Sequence, residues 1–198
     1  MPQSRSSAKR FVALGNMALR GAALLCRLGL VFYIAHQLGL EAMALYGFTV
    51  GAAAIMTTIS GLGISWRVTR FTVGENGIRV AARVRDRIIQ RLVVQAPLVL
   101  GGGLLAVELA GRAVLPVAAA ACIVMLEPVV AELAEVLVYR HRSLAGNFIL
   151  FLRSGWIPII VLLGLADPRW RTTEVVLLGW TVGLMVAIGF VLLSLIHI

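Results

Sequence analysis

The chain has 198 residues, 60% of them hydrophobic and 14% charged, with 18 basic residues against 9 acidic and a mean hydropathy of +0.96. Soluble domains carry about 25% charged residues, so a water-soluble globular domain is excluded. A basic excess of this size often marks nucleic-acid binding, but these arginines sit between apolar runs, as the basic loops of a membrane protein do, and no nucleic-acid partner is expected.

Residues 1–10 are polar and basic and read as a cytoplasmic tail. The apolar run behind them lacks a clear small-residue cleavage site, so it reads as a retained first helix and not a signal peptide. A spanning helix takes about 20 mostly apolar residues. Six stretches qualify: 11–37, 43–66, 92–110, 114–139, 147–166 and 175–196. The fold class expected is therefore all-α, one transmembrane domain over 11–198 with about six helices and antiparallel neighbours. Cys26 and Cys122 fall inside apolar runs and read as small buried packing residues, outside any disulfide framework or metal spacing.

The first span holds Asn16, Arg20 and Arg27. At 100° per residue these three share one helical stripe, with the two arginines about 10 Å apart along the axis. Charges inside spans are expensive and mark function by default. A guanidinium fork suits phosphate geometry, so the stripe reads as a cationic wall for an anionic group; internal ion pairing is the competing reading.

The segment 67–91 is the one long connection. Arg79, Arg83, Arg87 and Arg91 recur every four residues, while Ile78, Ala82, Ile88, Ile89 and Leu92 fill another face. This is a basic amphipathic helix, either lying on anionic headgroups or extending the third span into the cytoplasm.

The fourth span carries Glu127, Glu132 and Glu135 with Pro128, and the fifth carries Arg153 with Pro158. A hairpin turning around residues 142–145 sets Arg153 level with Glu132, which predicts a structural ion pair there, with Glu127 the other carboxylate that Arg153 is expected to lie near. Glu127 is left deeper, either to meet a first-span arginine, to take up a proton in a transport cycle, or to stay protonated and structural. The prolines can kink their helices. Gly61, Gly63 and Gly101–Gly103 allow close helix approach, and Trp66, Trp156, Trp170 and Trp180 read as partly interfacial.

Basic residues in loops set the orientation. With the N-terminus in the cytoplasm, the inner segments hold Arg5, Lys9, Arg10, Arg67, Arg70, Arg79, Arg83, Arg85, Arg87, Arg91, Arg140 and Arg142, against Arg112, Arg169 and Arg171 outside. Both ends are then cytoplasmic. The last span stops at Ile198 without anchoring charges, which suggests the front part of a longer protein. His36, His141 and His197 are isolated, with no carboxylate at metal-ligand spacing. Ser60 and Ser65 have no histidine placed to activate them. No P-loop is present. Neither enzyme activity nor a metal or cofactor is expected.

Several small motifs join this pattern. The basic start and polar first span lead into Leu38–Gly39–Leu40–Glu41 and Tyr46–Gly47–Phe48, then Gly61–Leu62–Gly63–Ile64. A basic stretch and a hairpin whose inner turn is Tyr139-Arg-His-Arg-Ser-Leu-Ala-Gly-Asn147 follow. Together these resemble the N-terminal half of the polysaccharide flippases (Wzx-like) of the multidrug/oligosaccharidyl-lipid/polysaccharide exporter superfamily. The resemblance implies one six-helix lobe of a MATE/MOP-type transporter, with a second lobe outside this chain. It implies an undecaprenyl-diphosphate-linked oligosaccharide as substrate, carried across the bacterial inner membrane. By position, Arg20 and Arg27 then resemble the cavity arginines that hold the diphosphate, with Asn16 beside them. A drug or ion exporter of the same superfamily calls for acidic residues deep in the first span. An intramembrane enzyme of cell-envelope synthesis calls for clustered catalytic groups at one face. A non-transporting membrane scaffold calls for neither.

Overall fold

The computed structural model describes residues 3–61, 77–110, 114–139 and 142–196. Among them all regular structure is helical. Helix α1 (Gln3–Tyr33) runs into a π-helical turn (Ile34–Leu38), followed by α2 (Gly39–Gly61), α3 (Gly77–Ala110), α4 (Val114–Tyr139), α5 (Ser143–Gly155), α6 (Ile157–Ala166) and α7 (Thr173–Ile196). Four stretches are long and apolar enough to cross a membrane: Val12–Ile59, Leu115–Val138, Ser143–Ala166 and Thr173–Val191. A shorter apolar run, Ile88–Leu104, lies in α3.

The 48-residue stretch Val12–Ile59 is two limbs. Gly39 has φ 83° and ψ −176°, a backbone region open essentially to glycine alone, and its N–H donates to the carbonyl of Ile34 across the π-turn. A straight helix would hold Arg27 and Tyr46 about 28 Å apart. Instead both line one cleft, so the chain folds back at Gly39.

Helix α4 is the hub and packs against α2, α3, α5 and α7, while α1 packs on α5 and α6. The core follows from this: Ile123, Leu133 and Leu137 of α4 meet Ile149 of α5 and Leu177 and Leu184 of α7 in one buried cluster. Outward faces are apolar as well. Leu24, Leu25, Leu28 and Phe32 on α1, and Val182, Met185 and Val186 on α7, are exposed. Exposed apolar surface on this scale belongs against lipid.

The structure adjusts several sequence expectations. The basic residues ahead of the first span continue its helix, since α1 is helical from Gln3 onward. The basic segment before the third span is its extension: Gly77–Ala110 is one 34-residue helix, about 51 Å long. The side chains of Arg79, Arg83, Arg87 and Arg91, and all of residues 62–76, lie outside the described residues. The fifth span starts earlier than expected, at Ser143, and breaks at Gly155–Trp156. Pro158 explains the break, since its ring opposes the carbonyl four residues back and it donates no hydrogen bond. Cys122 is exposed, not buried. Trp156 and Trp180 are both under 9% exposed in the core, where Trp156 rests on Gly179 and Gly183.

Candidate functional site

Three polar contacts join the first span to the fifth. Asn16 Nδ2 donates to Ser143 Oγ at 3.4 Å, Arg20 Nε to Asn147 Oδ1 at 2.9 Å, and Arg27 Nε to Ser154 Oγ at 3.1 Å. Each pair is 127 residues apart. A constant offset means that α1 and α5 run parallel and in register; an antiparallel pair would keep the sum of the numbers constant. The spacing of four and then seven residues follows a heptad seam. The seam continues past Arg27 through Leu30 and Ile34, each 1% exposed.

The stripe expected on α1 is thus brought against α5. The sequence reading missed its other half, Ser143, Asn147 and Ser154. A signal existed: these residues repeat the four-then-seven spacing of Asn16, Arg20 and Arg27. The seam holds only one nitrogen of each arginine. Among the described residues, the terminal nitrogens of Arg20 and Arg27 have no hydrogen-bond acceptor.

Arg27 lines an open cleft of about 410 Å³ between α1, α2, α4, α5 and α7. Tyr46, Glu127, Arg153, Ser154 and Trp180 line it too; Arg20 lies outside the lining. Arg153 forms a salt bridge with Glu127. Trp180 Nε1 donates to the other Glu127 oxygen at 3.4 Å, and the Tyr46 ring lies 5.6 Å from the Trp180 ring.

Of the two carboxylates expected near Arg153, the ion pair is with Glu127, because the turn closes earlier than residues 142–145. The N–H of Arg142 already donates to the carbonyl of Leu137, and α5 begins at Ser143. Moving the turn by about two residues slides the facing helix by about one helical turn. Glu127 therefore has a partner on α5. Glu132 is buried as well, and Glu135 is exposed.

The depth of this cluster follows from helix counts. Arg153 is ten residues into α5, Glu127 thirteen into α4 and Trp180 seven into α7, so the cleft lies about 10–20 Å from the helix ends. That is mid-depth for a hydrocarbon core about 30 Å thick. Two guanidiniums and one carboxylate leave one uncompensated positive charge there, which can be relieved by an anion. Among the described residues no three His, Cys, Asp or Glu side chains are grouped to hold a metal ion. No protein-family model matches the chain, and neither a curated protein nor a solved structure matches it.

Proposed function

We propose that this chain is one lobe of a membrane transporter, and that it moves an undecaprenyl-diphosphate-linked oligosaccharide across the bacterial inner membrane with Arg27 gripping the phosphate part. One observation carries the reading: Arg27 is fixed through Nε while its terminal nitrogens have no acceptor among the described residues, beside a cleft with surplus positive charge. A mid-span arginine costs at least about 2.5 kcal/mol by insertion scales. A phosphate supplies both the charge and the paired acceptors that offset this cost. A drug or ion exporter would need an acidic group where Arg27 stands.

The reading takes the six limbs as six spans with both ends cytoplasmic. The parallel α1–α5 seam supports that count. With α2 folded back on α1 and α4 folded back on α5, α3 must cross between them. The open side of the cleft then faces a second lobe.

The test is complementation of surface-polysaccharide export by the full-length protein, with membrane abundance measured in parallel. Arg27→Ala should abolish export. Arg27→Lys keeps the charge, loses the fork, and should retain part of it. Normal export by a well-expressed Arg27→Ala variant would sink the proposal.

A further inference from the structure

We infer that an apolar groove on the far side of α2 from the cleft holds the isoprenoid chain of the carried lipid. The inference rests on the transport reading above and adds a second site, for the chain alone.

The groove has a volume of about 910 Å³ and lies between α2, α3 and α4. Helix α2 is the wall between it and the cleft. Tyr46, Ala53 and Thr57 line the cleft, whereas Phe48, Ile55 and Ile59 line the groove. The partition is thin: Ala53 packs with Val99 and Val124, which line the groove, in one buried cluster. Small residues carve the space, with Gly51 and Ala52 on α2, Gly102 and Gly103 on α3, and Ala120 and Ala121 on α4. In membranes such residues ordinarily let helices approach, as Gly183 does with the Trp156 ring. Gly51 and Gly102 have no such neighbour: a Cβ on either would meet no atom within 4 Å. Their missing side chains make room for something other than an adjacent helix of this chain.

Chemistry and dimensions select the occupant. Thr49 is the one residue of the lining with a polar side-chain hydrogen, and its hydroxyl is spent on the carbonyl of Leu45 at 2.8 Å. A sugar, headgroup or peptide group entering the groove would lose its hydrogen bonds to water and gain none from these side chains. Along α2 the groove runs from Ala44 to Ile59, about 22 Å. Its volume spread over that length is a mean cross-section of about 41 Å². A helix about 10–12 Å across takes about 80–110 Å², so neither a second-lobe helix nor a helix of a second copy fits within it. A hydrocarbon chain does. A chain anchored in one leaflet reaches through half of a core about 30 Å thick, roughly 15 Å, and leaves part of the groove unfilled. An undecaprenyl chain is longer and carries a methyl branch on every unit, so it fills both the length and the width. The same molecule can occupy both sites, because Thr57 in the cleft and Ile59 in the groove lie about 200° apart on α2. A flexible chain passes from one to the other half way round the helix, about 16–19 Å.

Photolabelling of the purified chain in phosphatidylcholine nanodiscs tests this. The probes are geranylgeranyl monophosphate and hexadecyl monophosphate, each with a diazirine at the chain end, and labelled positions are mapped by peptide mass spectrometry. The isoprenoid probe should concentrate on Phe48, Ile55 and Leu98, and unlabelled geranylgeranyl phosphate should compete it away. The hexadecyl probe should spread over the exposed lipid-facing positions Leu24, Phe32 and Met185 as well, without a preference for the groove. Gly51→Leu and Gly102→Leu fill the groove from different helices without a clash at Cβ, so each should lose the groove labelling and keep that at Met185. One of them failing to fold leaves the other as the test. Equal concentration of both probes in the groove, labelling that survives both leucines, or isoprenoid labelling spread over the exposed faces overturns the inference. Groove labelling together with normal export by Arg27→Ala would instead refute the transport reading and leave a lipid-chain site standing. Export lost in Arg27→Ala with no groove labelling would do the reverse.

Discussion

Arg153 and Glu127 share one buried position at mid-depth, and neither is tolerable there alone. Taking two charges out of water costs several kcal/mol each, and their attraction offsets that only while both are present. Glu127→Gln and Arg153→Met singly should each destabilise the protein by roughly 3–5 kcal/mol, and the double variant by less than either. Unfolding of the purified protein in a denaturing-detergent titration measures this; a double variant less stable than both singles would refute the pairing. The Trp180 hydrogen bond to Glu127 is long at 3.4 Å, so Trp180→Tyr should show little of its cost through that bond, under about 1 kcal/mol. The same pair bears on Arg27: Glu127, which lines the cleft with it, is committed to Arg153.

Two glycines decide how the helices lie. Gly39 sits at φ 83°, ψ −176°, and this turn reverses the chain between α1 and α2. Gly39→Ala should cost about 1–3 kcal/mol through backbone strain alone, because an added Cβ at this position meets no neighbour. Gly183 works by closeness: a Cβ there would fall within the Trp156 ring. Gly183→Ala should cost about 1–3 kcal/mol by overpacking, and Trp156→Leu should recover part of it. No recovery would mean that α5 and α7 are held apart by something other than the indole. The turn after α6 has its own clamp. Arg171 Nε donates to the carbonyl of Gly164 at 2.6 Å, capping the free end of α6 as a cation at a helix C-terminus does.

Among the described residues the other limbs gather around α4, and the parallel contact between α1 and α5 places Arg27 at the cleft. If the limbs are six spans, the turn at Arg169 and the helix residue Arg83 lie on opposite membrane faces. With Cys26 and Cys122 replaced by alanine, Arg169→Cys should react with an impermeant thiol reagent in intact cells, and Arg83→Cys only after permeabilisation. The reverse pattern would invert the orientation, and reaction of both in intact cells would remove a span.

The sequence by itself determined the solvent, the helical class and the polar stripe. Each depends on composition over a window of about 20 residues or on the 100° step of one helix, and both are local. The span at 114–139 matches α4 residue for residue for that reason. Register between helices is not local. Which of the two expected carboxylates pairs with Arg153 turned on where one short turn closed, since each residue of slip shifts the facing helix by 1.5 Å and 100°; the partner is Glu127. Nor did the sequence show that Trp156 is buried in the core, where Gly179 and Gly183 leave room for its ring. Only the tertiary structure set Asn16, Arg20 and Arg27 against Ser143, Asn147 and Ser154, because a seam exists only once two helices share a direction and a register.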